Sequence, residues 1–144
     1  MNEIVVGTDG SDGSRRAVEW AAGESAMRDC PLVIVAAWEI PVLIDGSAPV
    51  WGATDWWDAL REDAEELGAT IAAECAPGLD PEVRVIEGPA ARVLVDVAQD
   101  ADLLVVGSRG RGGFSSLLLG SVSSQCAHHA PCPVVIVPES AGQP

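Results

Sequence analysis

The sequence predicts an α/β fold: a single doubly wound sheet of five parallel strands, in the order 3-2-1-4-5, with helices on both faces. Five short apolar runs alternate with segments of helical periodicity, which implies parallel strands joined by right-handed crossovers. The length of 144 residues suits one domain, 1–144, with one core. The two best glycine turns follow the first and fourth runs. This strand order would bring both turns to one crevice at the carboxyl ends of the strands, where ligands bind in such sheets.

The first three elements follow directly from periodicity. Residues 4–6 form a β-rich run that stops at Gly7, and a turn rich in helix-capping residues then precedes a helix at about 14–28. Residues 32–38 are almost wholly apolar, as expected of a strand covered on both faces. The apolar face of the helix is predicted to contain Val18, Ala21, Ala22, Ser25 and Ala26.

The second half of the chain continues the alternation. A helix is predicted from the spacing of Trp57, Leu60, Ala64, Leu67 and Ile71. The remaining elements are a short alternating strand at 83–86, a helix opened by Pro89, a strand at 103–107, a helix from 122 to about 130 and a last strand at 133–137.

Residues 39–55 depart from this alternation. The stretch carries prolines and glycines without a clear period and is about three times as long as a typical connection. We interpret it as a lid or an interaction loop. Trp51, Trp56 and Trp57 cluster at its end. They are predicted to pack the loop onto the domain, with adenine stacking or a partner surface as the alternatives.

The stretch 103–123 contains the strongest functional signal. An apolar run ends at Gly107, further glycines follow, and Gly120 and Ser121 open a new helix. Glycine lets backbone N–H groups approach a bound group closely, and a helix amino terminus presents N–H donors with partial positive charge. Arg109 and Arg111 could add forked, charge-assisted contacts to phosphate oxygens. The loop is therefore predicted to bind an anion.

The composition excludes several function classes. Eight basic and 22 acidic residues give a formal charge of −14, and all eight basic residues are arginine. Such a field disfavours nucleic acid and anionic membranes as partners. Without lysine the chain can supply neither a Walker A loop nor a Schiff base. No apolar run reaches the roughly 18 residues of a membrane span. Four dispersed cysteines, with no leading secretory segment, favour a reduced cytoplasmic location.

The glycine spacing and four other segments resemble the ATP-binding branch of the universal stress protein family. Gly107-x-x-Gly110 is followed by nine residues and then by Gly120-Ser121, which is the spacing of that family's nucleotide-binding signature. The opening IVVGTDGS, the strand VIVAAW, the helix EGPAARVLVDVA and the closing HHAPCPVVIVP fall in the family's order. The resemblance extends across the chain and implies the same five-stranded fold.

The resemblance also implies a site for ATP at the ends of the strands. Ala37 would offer its backbone to adenine, and Asp9 would reach the nucleotide near its ribose and phosphates, either at sugar hydroxyls or through Mg²⁺. The alternative for Asp9 is an ordinary turn aspartate that accepts bonds from its own backbone. Thr8 replaces the longer aliphatic residue of many relatives and would change the pocket wall. The cleft and the phosphates would be contacted by Val106, Gly107, Arg109, Gly110, Gly120, Ser121, Val122 and Ser123.

The resemblance implies a cytoplasmic, nucleotide-dependent stress-response or signalling module that binds ATP and hydrolyses it weakly or not at all. The alternatives are a slow nucleotide hydrolase or adenylyl-transfer enzyme on the same fold, a dimeric interaction module with a vestigial site, and a flavin protein. The resemblance also implies a homodimer joined by the last strand. In agreement, the apolar run 134–137 lies at a predicted sheet edge that must pair or be protected. The sequence does not identify a downstream protein partner.

The residues give only weak support for a zinc site or a serine hydrolase. Cys126, His128, His129 and Cys132 are zinc-binding residue types, but His128 leaves the helix face that Cys126 and His129 share, and the prolines that follow turn the chain into a strand. We interpret the histidines as cations at the helix carboxyl end. Two adjacent histidines also make a poor base for a serine hydrolase.

Overall fold

The architecture is a five-stranded parallel sheet between two layers of helices. A computed structural model describes residues 2–39, 53–109 and 119–139. All strand pairings are parallel and the order is β3-β2-β1-β4-β5, which confirms the predicted fold class. In chain order the elements are β1 (Ile4–Gly7), α1 (Asp12–Arg28), β2 (Leu32–Trp38), α2 (Ala53–Cys75), β3 (Glu82–Glu87), α3 (Ala90–Val97), a 3₁₀ turn (Ala98–Asp100), β4 (Leu103–Gly107), α4 (Ser121–His129) and β5 (Val134–Val137).

Two apolar clusters, one on each face of the sheet, hold the layers together. Side chains alternate between the faces along each strand. Ile4 and Val6 therefore pack with α1 and α2, while Val5 lies in the cluster that contains Leu94 of α3 and Cys126 of α4. Burying each of these aliphatic side chains contributes about 1.5–3 kcal/mol. The three central strands are covered on both faces, whereas β3 and β5 at the edges are partly exposed.

The start of α1 is placed earlier than the sequence predicts. The helix begins at Asp12 instead of residue 14, because the Ser11 side chain accepts a bond from the Ser14 N–H and acts as the amino-terminal cap. Gly13 and Ser14 are consequently buried on the inner face, and Ala26, which was predicted to lie there, is exposed. The buried face is shifted towards the amino end, which points at the carboxyl edge of the sheet.

Smaller differences affect the later elements. α4 begins at Ser121, one residue before the predicted start, and β5 begins at Val134, one residue after it. β3 extends one residue further at each end than the predicted 83–86.

The tryptophan-rich loop is only partly described. Residues 40–52, including Trp51, lie outside the described residues. α2 already begins at Ala53, within the stretch predicted as loop. Trp57, predicted on the apolar face of this helix and in the packed tryptophan cluster, is 41% exposed, which corrects both predictions at this residue. Ala64 and Ile71 are buried as predicted, so the inner face of α2 lies in its carboxyl-terminal half.

Within the ranges that the structure covers, no helix has both the length and the apolar character needed to cross a bilayer.

Candidate functional site

The turn after β1 is braced by a chain of hydroxyl groups. Ser14 Oγ donates to the Ser11 carbonyl oxygen at 3.0 Å, and Thr8 Oγ1 lies 3.0 Å from Ser14 Oγ. Because the Ser14 hydrogen is directed at Ser11, we assign Thr8 as the donor in its bond to Ser14. Thr8 Oγ1 also accepts the Gly10 N–H at 3.2 Å. Thr8 is buried, so its hydroxyl braces the turn. That Thr8 changes the pocket wall stays a prediction.

Asp9 is oriented by the same turn. Its Oδ1 accepts bonds from the Ser11 N–H at 2.9 Å and from the Ser11 hydroxyl at 2.5 Å. The alternative interpretation of Asp9 as a turn aspartate therefore describes this oxygen correctly. A carboxylate has about four acceptor positions on two oxygens, so the turn contact is compatible with a second role. Ser11 fixes where that carboxylate lies.

The two glycine turns meet backbone to backbone, as the strand order predicts. A Cβ on Gly107 would lie 3.0 Å from the carbonyl carbon and oxygen of Gly13, and one on Gly13 would lie 3.0 Å from the carbonyl oxygen of Arg109. These distances are tighter than most Cβ contacts, so a side chain at either position would require the neighbouring backbone to move by a few tenths of an ångström. Glycine at both positions therefore lets the start of α1 pack against the end of β4.

The amino end of α4 is anchored over the end of β4. The Ser108 carbonyl oxygen accepts the Gly120 N–H at 2.7 Å and the Ser123 hydroxyl, also at 2.7 Å. Gly120 is the amino-terminal cap of α4 and supplies no side-chain bond to the first turn. The first N–H groups of a helix have no partner within it, so this end carries donors and partial positive charge.

The Ser123 side chain anchors the first turn of α4. It is buried, and its hydroxyl contacts the carbonyl oxygens of Ser108 and Gly120 at 2.7 and 3.1 Å. The hydroxyl hydrogen is directed into the protein and helps to anchor the helix. That Ser123 contacts phosphate stays a prediction, with its N–H group as the candidate donor.

The other predicted residues of the β4–α4 region lie at different depths. Val106 is 3% exposed and packs beneath α3 and α4, so it can border the crevice only with its backbone. Ser121 is exposed and Val122 is half-buried in the first turn of α4. Gly110 lies outside the described residues.

Ala37 lies where its backbone can reach the crevice. The Val35 carbonyl accepts the Thr8 N–H, and the Trp38 carbonyl accepts the Gly88 N–H beyond β3. In a parallel strand the backbone groups of successive residues face opposite neighbours. Those of Ala37 therefore face the β1 side, at a level where β1 has already ended at Gly7.

Arg109 stands at the carboxyl end of β4 and forms an ion pair with Glu139. Its Nη2 lies 2.6 Å from Glu139 Oε2, and the Arg109 side chain is half-buried. The adjacent Ser108 N–H donates to the Val137 carbonyl at 2.9 Å. The ends of β4 and β5 are therefore joined by one backbone bond and one ion pair.

The zinc-like residue set is not arranged as a metal site. Among the residues described, no three or more His, Cys, Asp or Glu side chains are grouped so that they could hold a metal ion. Cys126 is fully buried, and burial raises the pKa of its thiol to about 11. Burial also raises the pKa of the Cys132 thiol. His128 and His129 occupy the last turn of α4, where the sequence predicts them.

Comparison with known proteins identifies the family. A family model described as the universal stress protein family matches residues 1–138. The chain belongs to the universal stress protein family. The family resemblance drawn from the loop spacing and the flanking segments is thereby confirmed.

Curated universal stress proteins of mycobacteria are among the relatives. One from Mycobacterium tuberculosis is 36% identical over 140 residues, which is 95% of this chain and 45% of that protein. One from Mycolicibacterium smegmatis is 34% identical over 139 residues, covering 93% of this chain and 47% of that protein. The chain spans about half the length of the curated relatives it matches.

Solved universal stress protein structures share the fold over nearly their whole length. A structure in complex with cAMP is 33% identical, with a TM-score of 0.62, covering 96% of this chain and 98% of that one. The protein from Lactobacillus plantarum has a TM-score of 0.77 at 22% identity, with 94% and 97% coverage. A structure from Archaeoglobus fulgidus in complex with dAMP has a TM-score of 0.60 at 22% identity, with 95% and 98% coverage.

Three residues of the site region were not predicted from sequence. Ser11 and Ser14 form the hydroxyl chain with Thr8 and Asp9, and their spacing of three residues at the start of a helix is a recognisable capping signal. Glu139 is 30 residues from Arg109 in sequence, so no local pattern could connect them.

Proposed function

We propose that this universal stress protein binds ATP in the crevice between the β1–α1 turn and the amino end of α4. The observation that carries the proposal is the amino end of α4. It begins at a glycine cap with no side-chain bond and is anchored over β4 by Ser108. Such an end, with its N–H donors and helix dipole, favours a phosphate group. The bound state would then alter the interactions of the protein as part of a cytoplasmic stress response.

The residues divide into three contacts with the nucleotide. The N–H groups of Ser121, Val122 and Ser123 would bind phosphate oxygens, and Gly120 would leave room for them. Arg109, with Gly107 and Gly110 in the same loop signature, would add positive charge beside these oxygens. Asp9 would bind ribose hydroxyls, and the backbone of Ala37 would bind adenine.

Magnesium would accompany the nucleotide. The described residues offer no set of three protein ligands, so phosphate oxygens and water would supply most of the coordination, as Mg²⁺ prefers. Asp9 is the carboxylate positioned by the turn to take one place, directly or through water. The ion would also screen the repulsion between this carboxylate and the phosphates.

A cyclic mononucleotide is the second candidate ligand. The neighbour described in complex with cAMP is 33% identical to this chain and matches it end to end. A single phosphate would also fit one helix amino end. We prefer ATP because Arg109 would offer its further phosphates a cationic contact in addition to the N–H groups of α4.

We further propose a homodimer joined through β5. This strand lies at the edge of the sheet, and its first three residues are only partly buried. An exposed apolar edge is stabilised when it pairs with another strand. Light scattering after size exclusion should give twice the chain mass at micromolar concentration, and a monomer alone would contradict the dimer.

The first experiment is to identify nucleotide released by heat from freshly purified protein, followed by calorimetric titration of the emptied protein with Mg-ATP, cAMP and adenosine. We expect ATP near one per chain and tighter binding of Mg-ATP than of cAMP or adenosine. Released ADP or AMP would favour a slow hydrolase, and turnover above about 1 s⁻¹ would make it an ordinary enzyme. Failure to bind any adenine nucleotide would contradict the proposal.

A further inference from the structure

The ion pair between Arg109 and Glu139 lies at the carboxyl ends of β4 and β5, and Arg109 directly follows Ser108, which anchors the amino end of α4. Arg109 follows β4 by two residues, and its carbonyl oxygen is at the contact with Gly13. Its guanidinium is held by a carboxylate that follows β5 by two residues, with Nη2 and Oε2 2.6 Å apart. An acidic group therefore engages the arginine that we assign to phosphate.

The position of this carboxylate is set by the sheet. β4 and β5 pair in parallel up to Gly107 and Val137, and the Ser108 N–H donates to the Val137 carbonyl at 2.9 Å. The segments that carry Arg109 and Glu139 thus leave the sheet side by side. The register of the two strands therefore brings the Arg109 and Glu139 side chains close together.

A phosphate and this carboxylate compete for the same guanidinium. Both are anions that accept from its N–H groups. Glu139 engages Nη2, so a phosphate that approaches Arg109 must displace this carboxylate or bind the other N–H groups beside it, where it is repelled by the carboxylate in a chain whose formal charge is already −14. The pair is easily opened, because half-exposed ion pairs are weak.

We propose that Glu139 is an affinity-determining residue that competes with the nucleotide phosphates for Arg109 and lowers the affinity for ATP. The inference rests on the proposed function. Removing the charge of Glu139 would strengthen the binding of phosphorylated ligands and leave adenosine unaffected. The competition would require Arg109, since without the guanidinium the two anions have no shared partner.

The test compares Glu139→Gln with a matched variant, Glu74→Gln. Glu74 has the same 47% side-chain exposure and pairs with Arg15 at 3.2 Å, on the α1 and α2 side of the molecule. Both variants lose one negative charge from one exposed ion pair. Calorimetric titrations with Mg-ATP and with adenosine are run on these proteins, on Arg109→Ala and on the double variant of Arg109 and Glu139, after circular dichroism shows that each is folded.

We expect Glu139→Gln to bind Mg-ATP about two- to five-fold more tightly than the wild type, the range set by a half-exposed ion pair. Adenosine affinity and the affinities of Glu74→Gln should be unchanged. In the Arg109→Ala background the Glu139 substitution should have no effect. Unchanged or weaker ATP binding by Glu139→Gln would overturn the inference. An equal gain in affinity in Glu74→Gln would also overturn it, because the gain would then come from the lower net negative charge of the protein. If neither the wild type nor Glu139→Gln binds ATP, the proposed function fails together with the inference.

Discussion

The two helices that begin at the crevice, α1 and α4, have opposite kinds of amino end. α1 is capped by Ser11, whose hydroxyl accepts from Ser14 N–H, and its first turn contains Asp12. α4 begins at Gly120, which offers no side-chain cap, and its first turn contains no acidic residue. The α1 end uses a side chain of the protein to satisfy a backbone donor, whereas the capping residue of the α4 end supplies no such side chain.

This difference makes the two sides of the crevice electrostatically unequal. The acidic residues Asp9 and Asp12 lie on the α1 side, and the first N–H groups of α4 lie on the other side. The amino end of a helix favours an anion, and at α1 the nearby carboxylates of Asp9 and Asp12 oppose this effect. A nucleotide in the crevice would therefore place its phosphates towards α4 and its ribose or bound cation towards Asp9.

Substitution of Gly120, the cap of α4, is the most direct test of the difference between the two helix ends. Gly120→Val should lower ATP affinity at least ~100-fold, because a branched side chain beside the first turn blocks two or more charge-assisted N–H contacts. The backbone at Gly120, φ −77° and ψ 174°, is one that any residue adopts, so the protein should still fold. Calorimetric titration with Mg-ATP measures the loss.

Gly23→Val is the control for this substitution. Gly23 lies on the exposed face of α1, and a Cβ there would meet no atom within 4 Å. The same change of residue type should leave ATP affinity at the wild-type value. A folded Gly120→Val protein that binds ATP normally would remove the α4 end from the site.

The buried faces of the two helices differ as well, and this difference predicts a pH effect. α1 packs through alanines and Val18, whereas α4 packs through Cys126, whose thiol pKa is raised by burial to about 11 from 9.0. Below pH 9 the thiol is protonated in both the folded and the unfolded chain. Between pH 9 and 11 only the unfolded chain loses the proton, so the free energy of unfolding should fall as pH rises, by roughly 2–3 kcal/mol.

Composition makes this measurement unusually clean. The chain has no tyrosine, and its eight basic residues are all arginine, so cysteine is the side chain that titrates in this range. Urea unfolding at pH 8 and at pH 11 should show the loss in the wild type and a smaller loss in Cys126→Ala, where the other buried thiols still contribute in the same direction. Equal losses in both proteins would exclude Cys126 as the main group.

Local patterns were sufficient to predict the sheet. Each central strand is a short run of Val, Ile or Leu, and such runs report burial on both faces directly. The fit of Gly13 against Gly107 was also predictable in outline, because glycine turns after neighbouring parallel strands meet at one edge.

The contacts that sequence did not predict concern side chains whose direction depends on the folded turn. Thr8 and Ser123 are hydroxyl residues next to the signature glycines, and both direct their hydroxyls to the protein itself. Spacing gives the place of such a residue along the chain but does not tell whether its hydrogen faces a ligand or a carbonyl. The partner of Arg109 required the register of β4 and β5, which pairs residues 30 positions apart.

The smallest change in ATP affinity is expected for a substitution at the amino end of α1. Ser11→Ala removes the cap on Ser14 N–H and the hydroxyl bond to Asp9, while the backbone N–H at residue 11 still holds Asp9 Oδ1 at 2.9 Å. The free energy of unfolding should fall by about 1 kcal/mol, the usual cost of losing a serine cap. ATP affinity should change by less than about three-fold, because one of the two bonds that orient Asp9 remains and each net bond is worth about 1 kcal/mol or less. Ser11→Thr, which keeps the hydroxyl, should restore most of the stability in urea unfolding. If Ser11→Ala lost more ATP affinity than Gly120→Val, the phosphates would lie at α1 and the orientation proposed for the nucleotide would be wrong.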